Sequence, residues 1–372
     1  MTPRARWADP RAWFRRPDAL LWIAVVVGLL GGIVVVVLRN FSSEQLSPDA
    51  LKIWRISSGQ RPDFVDQSFT PVATIYRMLG MGDAPLLAGL FSFALAAAVV
   101  TFTIFRLRPH RIGWPVALYV LAAYLGSAYY LGQYSKDIFV LPVAFILLMS
   151  RRIWWEIPII GAMIAYSYWF RDYWFLITVG YVAYRAVTWV QVRVRYLLII
   201  GSLAAVAIGL GNFLVLGNDP NYFREKVVSV LEANTQLLTI VPLPQPVGGL
   251  IDLFVNYWLI LVPLALPFTA GLVYVAVSAV LIFLRLLPLS VARSARRWPS
   301  VRTLDGVIAR RALSLLCAFA AVQAVFEPDY GSVLRHLMPL LPVGLALLLS
   351  LRHALPRTGQ AEPWSWTGRA RA

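Results

Sequence analysis

The chain has 372 residues, of which 59% are apolar or aromatic and only 14% charged, and its mean hydropathy is +0.68. Soluble domains carry about 25% charged residues, and several apolar runs here approach or exceed the ~20 residues that cross a bilayer. The composition therefore excludes a soluble nucleotide-binding enzyme, a disulfide-stapled domain (there is one cysteine) and a β-barrel, whose strands would alternate polar and apolar residues. A net charge of +16 would suit nucleic-acid binding if the bases clustered on one soluble face, but here they are distributed between apolar runs.

In chain order, ten apolar runs read as membrane-spanning helices: 19–38, 84–105, 113–132, 135–150, 154–170, 173–190, 196–216, 253–284, 310–326 and 336–351. The first follows an Arg-rich leader. It is long for a signal peptide and has no small-residue cleavage site after it, so it reads as a retained anchor. With the N-terminus inside, the inner segments hold 24 Lys and Arg against 10 outside, while the acids run 5 to 13. That asymmetry obeys the positive-inside rule and puts both termini in the cytoplasm. The run 253–284 would be about 48 Å long as one helix, against a hydrocarbon core of about 30 Å. A hairpin bent at Pro263 and Pro267 would place the seven Arg residues of 285–311 outside, so one long, tilted or kinked helix is expected. The fold class is then all-α: a single polytopic membrane domain over 1–372, with 285–311 as a basic cytoplasmic loop.

Two outer segments are longer than a turn requires. In 39–83, Ser47-Pro48-Asp49 supplies an N-cap, a proline at the first helical position and an acid in the first turn, with Gly59 as a stop. Thr70-Pro71 repeats the cap, with Gly80 and Gly82 as the end. In 217–252, Val227, Val230, Leu231, Leu238 and Val241 follow Asp219-Pro220 at a spacing that predicts an amphipathic helix on the outer membrane surface. The inner loops carry no phosphate-binding glycine motif, so function is expected on the outer face.

Three outer turns concentrate charge beside apolar sequence: Gln133 to Asp137, Phe170 to Trp174, and Phe326 to His336. Ionisable groups at membrane depth are costly and face a bundle interior or a water-filled cavity. The chain's lysines, Lys52, Lys136 and Lys226, all fall on the outer side, and every cytoplasmic base is Arg. Arg171, Arg335 and Lys136 sit at one membrane level, where together they could clamp a diphosphate or, individually, anchor to headgroups or to Asp172 and Asp137. His336 is the one outer histidine and could take a proton from a hydroxyl, or simply start a helix. Glu327-x-Asp329 lacks His or Cys partners, so a charge partner for Arg335 or a general base is expected there, and no metal. Cys317 reads as packing, and the middles of the spans as almost free of ionisable groups.

The strings Tyr134-Ser135-Lys136-Asp137, Tyr168-Trp169-Phe170-Arg171-Asp172-Tyr173 and Pro328 to Pro339 are similar to stretches in bacterial exopolysaccharide and O-antigen polymerase-like proteins. With the two outer loops and the charged outer turns, the chain resembles Wzy-type polysaccharide polymerases, and more broadly the GT-C class of membrane glycosyltransferases. The chain departs from the O-antigen ligase/polymerase subgroup in its shorter length and smaller outer loops. The resemblance implies a bacterial inner-membrane enzyme that joins undecaprenyl-diphosphate-linked oligosaccharides on the periplasmic face. It implies no cofactor, no nucleic-acid partner, and membrane lipid and a chain-length-regulating co-polymerase as associates. It would put Arg171, Arg335 and Lys136 on the diphosphate, His336 or Asp329 as base, and Asp137 and Asp172 as orienting partners. Tyr134, Tyr173, Trp174 and Tyr330 would hold sugars, with Arg224 and Lys226 as weaker substrate contacts. Two alternatives stand beside it. A monosaccharide transferase using a polyprenyl-phosphate sugar would carry its acid on Glu44 or Asp49, and a lipid-linked glycan transporter would line a path with the same cations.

Overall fold

A computed structural model describes residues 18–41, 46–60, 68–107, 109, 112–190, 192–233, 249–262, 271–295, 298–327 and 329–351. Among the described residues the regular elements are helical: fifteen α-helices joined in places by short 3-10 turns. They are α1 (Asp18–Arg39), α2 (Pro48–Ser57), α3 (Phe69–Met78), α4 (Pro85–Leu107), α5 (Trp114–Tyr130), α6 (Leu141–Met149), α7 (Glu156–Trp169) and α8 (Trp174–Val190). The second half holds α9 (Val194–Leu216), α10 (Tyr222–Ala233), α11 (Gly249–Leu261), α12 (Gly271–Ser294), α13 (Leu304–Phe326), α14 (Tyr330–Leu337) and α15 (Leu341–Leu351). Among the described residues, six segments are long and apolar enough to cross a membrane: Ala19–Arg39, Pro85–Leu107, Val194–Leu216, Val275–Ser294, Leu304–Phe326 and Tyr330–Leu351. The fold is that of a helical membrane protein.

Burial orders the bundle. In the spanning windows, α13 is 94% buried and the α14–α15 segment 89%, against 33% for α1 and 28% for α9. The C-terminal hairpin is therefore the axis, and α1 and α9 lie outside it with large apolar side chains such as Leu30, Leu38 and Leu203 exposed. In lipid such exposure carries no hydrophobic penalty, and contact depends on close approach of small residues. Gly32 of α1 illustrates this, since an added Cβ would clash with the Phe93 ring of α4.

The first long loop is helical where the capping pattern predicts. Ser47 Oγ accepts from Ala50 N at 3.3 Å to start α2, and Gly59 ends it at φ 90°. The second cap is displaced, because α3 begins at Phe69 behind Ser68 and Thr70 lies within the first turn. In 217–252 the helix spans Tyr222–Ala233. Glu44, the side chains of Val227, Val230 and Leu231, and positions 238 and 241 lie outside what is described.

The expected single helix over 253–284 is instead two helices, and they do not form an ordinary hairpin. Asn221 Nδ2 donates to Asp252 Oδ2 at 2.9 Å, Leu253 packs at Gly209 and Tyr257 at Gly201, so α11 runs antiparallel to α9. Arg293, near the end of α12, lines one cleft with Val194 and Arg195 at the start of α9, so α12 runs antiparallel to α9 as well. Helices α11 and α12 thus point the same way, and α11 stops partway down the bundle. Its Ile260 carbonyl accepts from Arg285 Nη1 at 2.7 Å, well inside α12. A break at Pro263 and Pro267 would put the later Arg residues outside only if the two helices formed a hairpin. Because both helices point one way, residues after 285 stay at the Val194 end, which is the side their charge requires. The middles of the spans are also less apolar than expected: Arg285 is buried within α12, a cation at the carbonyl end of α11.

Candidate functional site

Two charged clusters lie at opposite ends of the bundle. Arg311 near the start of α13 and Glu327 just past its end are separated by about 24 Å of helix at 1.5 Å per residue.

At the Glu327 end, three of the expected turns and the first long loop converge. Asp137, in the 3-10 turn before α6, stands between two guanidiniums: Arg171 Nη2 is 3.1 Å from Oδ1 and Arg335 Nε 3.7 Å from Oδ2. Arg335 also reaches back to α2, with Nη1 3.0 Å from Asp49 Oδ2. Its Nη2 lies 3.3 Å from His336 Nε2, and His336 Nδ1 lies 2.9 Å from Glu327 Oε1. An arginine can only donate, so Nε2 is the acceptor nitrogen and the proton of the neutral ring sits on Nδ1, facing Glu327. Distance and direction part company here: Arg171 Nε and Nη2 and Arg335 Nε are buried without a directed hydrogen bond. The cluster thus keeps unspent donors. A cavity on its Asp49 side, bordered by Asp49, Tyr130, Tyr134, Lys136, Asp137 and Arg335, holds about 10 Å³, room for about one water molecule.

The local field differs across the cluster. Burial raises the pKa of Asp49, but Arg335, Lys136, Arg171 and Lys52 outweigh it and hold the carboxyl below the usual carboxylate range. For Glu327 burial wins over Arg171 and Arg335, pushing it up to about 7. A carboxyl poised there can exchange a proton near neutral pH.

The remaining expected residues fall in three groups. Lys136 borders the cavity with Nζ 4.2 Å from the Phe69 ring and 3.4 Å from Ser68 Oγ, while Asp137 lies within ion-pair distance of Arg171 and Arg335. Tyr173 stacks on Phe326 at 5.5 Å, with Arg171 5.7 Å and His336 6.5 Å from its ring. Asp329 accepts from Ser332 N at 2.8 Å as the N-cap of α14, a positional duty a free base would not have. Asp172 is exposed and outside the ion pairs of Arg171, so it is not that residue's orienting partner. Arg224 is buried near Asp252 and Lys226 is exposed, both on α10. Three of the four aromatics expected to hold sugars are structural. Tyr134 donates to Met81 O at 2.5 Å, Trp174 packs on Tyr166 at 4.9 Å, and fully buried Tyr330 donates to Leu259 O at 3.0 Å. The rings of Trp174 and Tyr330 are buried against neighbouring helices, while the buried Tyr134 also borders the small cavity beside Asp137.

Sequence reasoning missed the opposite cluster. Glu156 Oε1 accepts from Arg185 Nε and Arg311 Nε at 2.9 Å each, and Tyr181 donates to Oε2 at 2.6 Å. Arg311, fully buried, also donates to the carbonyls of Leu147, Ser150 and Arg152. Its only sequence signal was Arg310-Arg311 at the start of an apolar run, which reads as a loop edge. Among the described residues, no group of three or more His, Cys, Asp or Glu is placed to hold a metal ion.

Comparison with protein-family models, curated proteins and solved structures returned no match for the chain. Its class, a helical membrane protein with a charged cluster at each end, rests on its own residues.

Proposed function

We propose that this protein is a bacterial inner-membrane glycosyltransferase that polymerises undecaprenyl-diphosphate-linked oligosaccharides on the periplasmic face. The observation that carries the reading is the convergence of Arg171 and Arg335, 164 residues apart in the chain, on one carboxylate, with buried N–H donors left over. Guanidinium forks match phosphate oxygens, and a pair of them neutralises a departing diphosphate. In this reading Asp49 occupies the anion's place on Arg335 in the resting protein. The substrate diphosphate displaces it and opens a cavity that is otherwise closed.

Arg335 then leaves His336 Nε2, which accepts the proton of the acceptor hydroxyl, while Glu327 beside Nδ1 stabilises the imidazolium. The acceptor oxygen bonds to the donor's anomeric carbon as the bond from that carbon to the diphosphate oxygen breaks, and the electron pair leaves with the lipid diphosphate. The topology of this reading has ten crossings, by α1, α4 to α9, α12, α13 and the α14–α15 segment, with α11 dipping partway from the periplasmic side. Both termini are then cytoplasmic, as the charge asymmetry favours.

One observation favours a second reading. Asp49, from the first outer loop, lies in the same cluster, where a monosaccharide transferase using a polyprenyl-phosphate sugar would carry its acid.

Deleting the gene in the source organism and analysing surface polysaccharide and lipid-linked oligosaccharides by gel and mass spectrometry separates these readings. Loss of polymer with complete single repeats retained is the expected result. A lipid-linked unit short of one sugar supports the second reading, and no change in either overturns both.

A further inference from the structure

The Glu156 cluster is neutralised only in part. It sets two guanidiniums against one carboxylate, and that carboxylate already accepts from Arg185, Arg311 and Tyr181. Arg311 spends its remaining donors on backbone carbonyls. Arg185 does not: it is 7% exposed, and its Nη1 is buried without a hydrogen-bond partner. A buried cation with a leftover donor and no second acid is costly unless something completes it.

Arg185 lines a groove between α7 and α8 with an open volume of about 300 Å³, walled by Ile153, Ile160, Tyr181, Val182 and Trp189. Trp189 also stacks under the Arg185 guanidinium at 5.2 Å. The same two helices present Ile157, Ile164 and Val179 outward, at 74%, 46% and 54% exposure, which is a lipid-facing surface. Exposed Arg151, Arg152 and Trp154 immediately precede α7 and fix this end at headgroup depth. The apolar walls need a chain to fill them, which excludes a hydrated phosphate alone. The unbalanced positive charge at the floor asks for a net negative headgroup.

We propose that this groove binds an anionic phospholipid, its phosphate oxygen accepting from Arg185 Nη1 and one acyl chain lying along Ile160 and Val182. The proposal rests on the protein being in a membrane and is independent of glycosyl transfer.

The test uses the purified full chain and native mass spectrometry, titrating dioleoylphosphatidylglycerol against dioleoylphosphatidylcholine. The first bound lipid should favour the glycerol lipid by about fivefold to tenfold, the worth of roughly one charge at a membrane surface. Arg185→Gln should bring that preference down to no more than about twofold. Because this variant disturbs Glu156 and could fail to fold, Val182→Trp, which fills the groove without touching the ion pairs, carries the decision, and the same collapse is expected. Absence of a preference in the wild type overturns the proposal. So does a preference that survives Val182→Trp, which would move the lipid to the cleft of Arg193, Arg195 and Arg293.

Discussion

The two ends of the bundle use the same chemistry to opposite effect. At one, Glu156 gathers Arg185, Arg311 and Tyr181 with directed hydrogen bonds of 2.6 to 2.9 Å, and Arg311 finishes on three carbonyls. At the other, Arg171 and Arg335 lie within ion-pair distance of Asp137 but leave three buried N–H-bearing nitrogens undirected. A charge cluster whose carboxylate and Arg311 are fully engaged, with Arg185 Nη1 left over, fixes helices to one another. One that leaves more donors unspent, beside a partly exposed Asp49–Arg335 pair, is where the proposed reading seats an anion. Charge density alone does not separate the two cases; the hydrogen-bond directions do.

The sharpest test of that difference is to remove one arginine from each end. Arg311→Met should cost about 3–5 kcal/mol of stability, because it leaves three carbonyls without their donor and takes one of three donors from Glu156, and thermal melts in detergent would read it as a large fall in Tm. Arg335→Gln should shift stability by no more than about 1 kcal/mol, since its pair with Asp49 is partly exposed and Asp137 keeps Arg171 at 3.1 Å. Under the proposed reading it should nonetheless cut glycosyl transfer in membrane vesicles by about 10²–10³-fold, as loss of one oxyanion donor does. Equal stability losses at both ends would break the comparison.

A smaller effect concerns Glu327. Its folded pKa of about 7 lies above the ordinary 4.5, so the native protein binds the extra proton between those values. Stability is then full below pH 4.5, falls as pH rises through about 7 with a slope of at most about 1.4 kcal/mol per unit, and flattens above. Melts from pH 5 to 8 should show this decline in the wild type and a flatter profile in Glu327→Gln. The smallest expected change is Ser47→Ala, which removes the cap of α2 at a cost of about 1 kcal/mol. It should loosen Asp49 and show as altered KM with little change in kcat.

Much of this was legible along the chain. Lys136, Asp137, Arg171, Arg335 and His336 stood out because charge is rare beside apolar runs, and the structure brings all five to one end. Ser47 announced α2 because its cap is a local hydrogen bond. The pairings were not legible. Arg171 has Asp172 next to it in sequence, yet it faces Asp137, because successive residues at a helix start point in different directions. Tyr134, Trp174 and Tyr330 resembled binding aromatics until packing turned them inward. Arg311 was hidden for the opposite reason, since an arginine buried by distant partners looks in sequence like a loop-edge charge.

The amino-acid sequence by itself determined that this is an all-helical membrane protein and which end of each helix carries charge, because hydropathy, caps and the sidedness of Lys and Arg are properties of contiguous residues. Tertiary structure decided that 253–284 holds a partial helix beside a spanning one, which acid serves which arginine, and which cluster directs more of its donors. Those outcomes depend on directions and distances between residues as far apart as Asp49 and Arg335, and no local pattern encodes them.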